Sequence, residues 1–156
     1  MNRDTVTLSE IAKAYCSLIE SVDNADSGWL SRMAELLPQL HAAVDALGVR
    51  DDLSECLLAT DLDSRFEMYT ELHRLIGQRD AYWMEFDVAQ DGQNMTGSLA
   101  DDLTDIYCEL KYGLGLLERE PVQAYEAWRS GYRLHWGRHL LDAERHLYEL
   151  DNRNML

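Results

Sequence analysis

Apolar residues recur along this chain at the three- and four-residue spacing of amphipathic helices, and no segment shows the alternation of a half-buried strand. Leu8, Ile11, Ala12, Tyr15, Ile19 and Val22 form a first stripe, opened by the capping box Thr7-Leu8-Ser9-Glu10. The run from Asp23 to Gly28 breaks that helix and offers Asp26 or Ser27 as the next cap. Trp29, Met33, Leu36, Leu40, Ala43 and Leu47 make a second stripe that ends at Gly48, with Pro38 on the opposite face, where it predicts a kink toward the core. A short helix follows from Asp51 to Leu58. A third opens at a second capping box, Ser64-Arg65-Phe66-Glu67, and stops near Gly77.

From Tyr82 to Gly97 the helical period fails. Tyr82-Trp83-Met84-Glu85-Phe86-Asp87 is aromatic and acidic, and the stretch from Gln90 to Gly97 is polar and contains glycine. This predicts an irregular loop whose aromatics pack inward, ending in a mobile tip. Ser98 then caps a fourth helix that buries Leu99, Leu103, Ile106, Leu110, Leu114 and Leu117, with Asp101 and Asp102 complementing its dipole. Glu120-Pro121 starts the fifth, with proline in its preferred first position. That helix runs to about Leu150, roughly 45 Å at about 1.5 Å per residue. The expected fold is all-α: one helical bundle over residues 1–156 with about five main helices, a long C-terminal helix, an irregular loop near 82–97 and a frayed tail over 151–156.

Charge narrows the range of partners. The chain carries 29 Asp and Glu against 14 Lys and Arg, a net charge of −15. Such a surface repels phosphate backbones and anionic lipid, which argues against nucleic acid and membrane and favours a basic protein partner or cations. Solubility alone would also account for it. Cys16, Cys56 and Cys108 are odd in number and form no C-x-x-C pair, so no disulfide framework or thiolate zinc site is readable. No secretory signal and no run of 18 apolar residues occurs, and a reducing cytoplasm fits these features.

The candidate chemistry lies in two blocks. On the fourth helix, Asp101, Asp102, Asp105 and Glu109 crowd one edge beside Tyr107, and like charges three and four apart call for a cation opposite them. On the fifth, Tyr125, Trp128, Tyr132, Trp136 and His139 face inward, while His135, His139 and Asp142 share an edge. A short connection implies antiparallel packing, which brings Asp102 and Asp105 opposite residues between Tyr132 and His139. Two readings follow. In the first the blocks form a buried polar clamp, with Arg129, Arg133 or Arg138 as further counter-charges. In the second His135, His139, Asp102 and Asp105 hold a divalent metal (Zn, Mn or Fe), with His41 or His73 completing a three-histidine set by fold-level analogy. Neither Glu-x-x-His nor His-Glu-x-x-His is present. Gly113-Leu114-Gly115 reads as a site of close helix packing rather than a phosphate loop, and Trp83 with Trp128 forms a candidate aromatic pocket.

These residues also carry a resemblance. The chain resembles a bacterial family catalogued as domain of unknown function 5063 in Tyr15-Cys16-Ser17-Leu18-Ile19-Glu20, in Tyr82-Trp83 with Phe86-Asp87, and in Ser98-Leu99-Ala100-Asp101-Asp102-Leu103 with Asp105-Ile106-Tyr107 and Leu110-Lys111. Trp128 and the block His135-Trp136-Gly137-Arg138-His139 complete it. The resemblance implies a small bacterial all-helical domain and brings no activity with it. Cys108 stands where the family pattern leads one to expect arginine, which removes a counter-charge from the acidic helix. The polar cluster is therefore Asp101, Asp102, Asp105, Tyr107, Glu109, His135, Trp136, Arg138, His139 and Asp142. The expected function is a non-enzymatic interaction domain for a basic partner, with a metal-binding, hydrolytic bundle as the alternative; leftover apolar stripes also allow a homodimer.

Overall fold

Four helices converge on a central one whose apolar stripe is buried along its length. A computed structural model describes residues 3–48, 61–85 and 94–156. The elements are α1 (Arg3–Glu20), α2 (Trp29–Asp45), α3 (Leu62–Ile76), β1 (Ala81–Glu85), β2 (Asn94–Ser98), α4 (Leu99–Leu117), α5 (Pro121–Gly131), a π-turn (Tyr132–Trp136) and α6 (Gly137–Asn152). The central helix is α4, whose Leu99, Leu103, Ile106 and Leu110 are fully buried against α1, α3, α5 and α6. Tyr15 donates its hydroxyl to Leu103 O at 2.7 Å, tying α1 to α4 inside the core. Trp29 Nε1 donates to Leu18 O at 2.9 Å and does the same for the α1–α2 corner. Burial of an indole requires such a partner for its single donor.

The predicted stripes hold, with local shifts. In α2 the buried set is Trp29, Leu30, Met33, Leu37, Leu40, Ala43 and Val44, so Leu36 and Leu47 flank the core instead of centring on it; Pro38 is exposed. Helix α1 begins before Thr7. Helix α3 starts three residues ahead of the predicted box because Asp61 caps it, accepting from Asp63 N at 3.1 Å and from Ser64 Oγ at 2.8 Å. It stops at Gly77, whose φ of 61° ends the helix. The short helix expected over 51–58 lies outside the described residues.

Three expectations need correction. Residues 82–85 and 94–97, expected as irregular loop, are strand: β1 and β2 pair antiparallel from Ala81↔Ser98 to Glu85↔Asn94, and the part of the expected loop and tip over 86–93 lies outside the described residues. Alternation then sends Tyr82 toward the bundle and Trp83 away from it, so Trp83 is 72% exposed instead of packing inward. The fifth helix is not a uniform α-helix. Gly137 N–H donates to Tyr132 O, one residue beyond the α-helical partner, and a Cβ at Gly137 would lie 2.3 Å from that oxygen. The tail is docked, since Arg79 Nη1 donates to Met155 O at 3.1 Å and Leu156 packs against the core.

Gly113 confirms the close-packing reading. Trp128 is fully buried across α4, donates Nε1 to Leu110 O at 3.3 Å, and sits 2.0 Å from where a Gly113 Cβ would be. Gly113→Ala should therefore cost about 1–3 kcal/mol by overpacking, which outweighs the helix-propensity gain of at most about 1 kcal/mol. Gly115→Ala, with nothing within 4 Å of its added methyl, should stabilise by up to about 1 kcal/mol. Urea midpoints of the two variants check the pair; equal shifts would show that Trp128 does not press on α4.

Candidate functional site

The first turn of α4 sets the geometry. Ser98 Oγ accepts from Asp101 N at 3.2 Å and donates to Asp80 Oδ2 at 2.7 Å, while Asp80 Oδ1 accepts from Ala100 N at 2.6 Å. Two residues thus satisfy amides that the helix leaves unpaired, and they fix the end of β2 to the start of α4. One turn later comes Asp102, whose side chain is only 5% exposed. A carboxylate that deep must be hydrogen-bonded. Tyr82 of β1 donates its hydroxyl to Oδ2, and His139 Nδ1 of α6 meets Oδ1 at 2.8 Å.

The second imidazole nitrogen is also engaged. His139 Nε2 lies 3.1 Å from Asp105 Oδ2. With a carboxylate beside each ring nitrogen, the surroundings favour the charged form. The hydrogen bond that His139 donates to Asp102 holds the imidazole pKa above the ordinary histidine range; burial opposes this, and the charges of Asp105 and Asp101 reinforce it. Burial pushes the Asp102 carboxyl up, against the lowering effect of His139 and Tyr82. Burial and the Asp102 carboxylate push the Tyr82 phenol up as well, so it remains a donor. The remaining cation is Arg65 of α3, which donates Nη2 to Asp101 at 2.8 Å and both Nε (3.0 Å) and Nη2 (2.7 Å) to Asp105. Four elements, α3, β1, α4 and α6, meet in this network.

The structure divides the predicted cluster. Asp101, Asp102, Asp105 and His139 come together as expected, with exposed Arg138 and half-buried Asp142 lining the cleft of about 480 Å³ above them. His135 does not join them: it is 57% exposed and lies 3.5 Å from Glu109, whose carboxyl burial pushes up. Tyr107 instead donates to Glu20 at 3.2 Å. Trp136 belongs to the core, where its Nε1 donates to Trp128 O at 3.2 Å. The four-residue metal set with His135 is therefore not assembled; the ligand atoms that approach within 4.8 Å of one another are those of Asp101, Asp102 and His139. His41 bonds Glu144 at 2.8 Å and His73 lies 3.7 Å from Asp80, so neither completes a histidine triad. Exposed Trp83 and buried Trp128 line no common cavity among the described residues. Counter-charge to the acids comes from Arg65 and not from Arg129, which pairs with Glu126 at 2.9 Å and reaches Leu47 O at 3.2 Å.

A second feature lies on the other side of Arg65. Helices α3 and α4 flank a groove of about 470 Å³ lined by Asp61, Glu67 and Glu71 together with Met68, Tyr107 and Tyr112. Its two cations are both committed elsewhere, Arg65 to Asp101 and Asp105, and Lys111 to Glu20 at 3.1 Å. Cys108, which stands where arginine was expected, also lines it. The flanking half of α3 buries little, and Leu62 and Phe66 on it are 76% and 66% exposed.

A two-stranded sheet latched onto a helical bundle through a buried carboxylate makes this a small, mainly helical domain. The chain belongs to the family described as domain of unknown function DUF5063, which matches residues 1–152. It is similar in fold to protein BF1032 from Bacteroides fragilis, with a TM-score of 0.74 at 15% identity over 96% of this chain and 92% of that one. No curated protein matches the chain. Among the described residues no helix is long and apolar enough to cross a membrane.

The clamp has a pH signature. A folded-state pKa raised above the unfolded one contributes stability that is complete below the ordinary histidine range and is lost as pH rises through the raised value. His139→Gln, which keeps one donor, should cost about 1.5–3 kcal/mol at acid-to-neutral pH and flatten this part of the stability profile. Urea midpoints from pH 5 to 9 read it; a wild-type slope that persists in the variant would place the titration on another group.

Proposed function

We propose that this protein is a non-enzymatic recognition domain of the cytoplasm, whose α3–α4 groove takes a basic amphipathic segment of a protein partner. The observation that carries this reading is the imbalance in the groove: Asp61, Glu67 and Glu71 face it, while both of its cations are already paired. Met68, Tyr107 and Tyr112 supply an apolar floor, and the exposed Leu62 and Phe66 extend the apolar surface along α3. A helix with lysines or arginines along one side and leucines along the other complements such a groove. The His139 network supports the non-enzymatic side of the reading, because an imidazole with both nitrogens on carboxylates has no lone pair left to act as a base.

Fluorescence anisotropy with a labelled Leu/Lys amphipathic peptide tests the groove. Glu67→Gln with Glu71→Gln should weaken binding at least tenfold, since each lost ion contact removes part of a charge-assisted interaction. Glu10→Gln with Glu118→Gln, the same charge change at exposed sites outside the groove, should leave it within about twofold. Equal losses in both variants would mean that the net charge attracts the peptide and the groove does not recognise it.

The second reading is a divalent cation, Zn, Mn or Fe, held by Asp101, Asp102 and His139, favoured by the approach of their ligand atoms to within 4.8 Å. Binding would have to displace the His139 proton, which Asp102 and Asp105 hold, and to set a metal charge beside the Arg65 guanidinium; both count against it. Native mass spectrometry of protein isolated from its host decides: a bound metal lost in His139→Gln supports the cation, and a metal-free mass supports the clamp.

A further inference from the structure

Tyr82 is a partition. On one side of its ring lies the acidic cleft of the clamp, and on the other a pocket of about 450 Å³ between β1 and α6. That pocket has a different chemistry from the rest of the surface. Arg145 and Arg153 line it, with Glu149 between them, beneath the exposed indole of Trp83. In a chain of net charge −15, two guanidiniums at one pocket run against the average. Neither is ion-paired among the described residues. Arg145 stands on α6 and Arg153 directly follows its last residue, so the two flank Glu149 along the pocket.

His146 forms the inner wall. It is buried, its ring stacks on Tyr82 at 4.8 Å, and its Nε2 lies 2.6 Å from Arg79 O. That contact makes Nε2 an N–H donor to the carbonyl. The pocket thus offers an exposed π-face and two cations against a buried imidazole wall. Exposed indoles are rare because leaving that apolar area in water is unfavourable. Trp83 is held in this position by the hairpin register: Tyr82 is fixed inward by Asp102 and His146, and alternation sends its neighbour outward.

We infer that the pocket formed by Trp83, Arg145, His146 and Arg153 binds a planar aromatic carboxylate, its ring stacked on the Trp83 indole and its acid group seated on the two guanidiniums. Glu149 selects the charge. The ionised side chains lining the pocket sum to one net positive charge, which suits a monoanion and disfavours a phosphate dianion. The inference is independent of the peptide groove, which lies on α3 and α4 and shares no residue with this pocket.

The test uses 2-naphthoate as probe, with 2-naphthylmethylammonium as the opposite-charge control and 2-naphthyl phosphate as the dianion. Trp29, Trp128 and Trp136 are buried, so in ¹H–¹⁵N spectra the Trp83 indole N–H is the signal open to a ligand. Titration with 2-naphthoate should shift that signal, and Trp83→Leu should remove it. Arg145→Gln with Arg153→Gln should weaken naphthoate binding at least tenfold with an unchanged melting temperature, because both side chains are exposed. The dianion should bind more weakly than naphthoate, and the ammonium should not shift the indole. Saturation by naphthoate in the double arginine variant, equal shifts from the ammonium, or no shift at millimolar naphthoate in the wild type would each overturn the assignment.

Discussion

A carboxylate buried to 5% exposure cannot remain without donors, and Asp102 obtains its donors from two separate parts of the chain. That single requirement organises this end of the molecule. Tyr82 must reach it from β1, which sets the register of the hairpin on the bundle. His139 must reach it from α6, which sets the rotation of the C-terminal helix. The π-turn at Tyr132–Trp136 contributes to that rotation, because one extra residue in the turn advances every later side chain by about 100° around the helix axis. His135 lies within the π-turn and His139 follows it. This is why two histidines a nominal turn apart face different carboxylates, Glu109 and Asp102.

Much of this was legible. Ser98 as a cap, the α4 stripe and the approach of Asp102 and Asp105 to His139 all follow from local rules: an oxygen before a helix, a 3.6-residue period, and antiparallel packing across a short link. What was not legible depends on distance or on brevity. Arg65 stands 36 and 40 positions from the acids it neutralises, and in sequence it is only the second residue of a capping box. The hairpin strands are five residues each, and Asn94-Met95-Thr96-Gly97-Ser98 has neither the alternation nor the β-branched content that marks a strand. The strands pair because Asp80 and Ser98 are already fixed at the α4 N-terminus, which closes the chain on itself at Ala81↔Ser98. The π-turn leaves only Gly137 as a trace, and glycine inside a helix has many causes.

The distribution of cations follows from the same economy. Arg65 and Lys111 are held on acids of α4 and α1, Arg129 on Glu126 and a carbonyl, and Arg79 on two carbonyls. The scarce positive charge is used to join elements, and the surplus negative charge is left at the surface. An excess of acid is therefore least compensated where a cation has been drawn to one side, and Arg65 leaning toward Asp101 and Asp105 leaves the other flank of α3 in that condition. The clamp and the acidic groove are two consequences of one arginine.

A cation in the Asp101–Asp102–His139 space would gain three ligands and lose the imidazolium's hydrogen bonds, and it would sit beside the Arg65 guanidinium. The network as it stands already balances its three aspartates with two cations and a phenol, and each donor comes from a different element. Replacing a proton by a metal would satisfy the acids equally well, but would free Arg65 and with it the α3–α4 contact. The network as it stands keeps three elements, α3, β1 and α6, anchored to the first turns of α4.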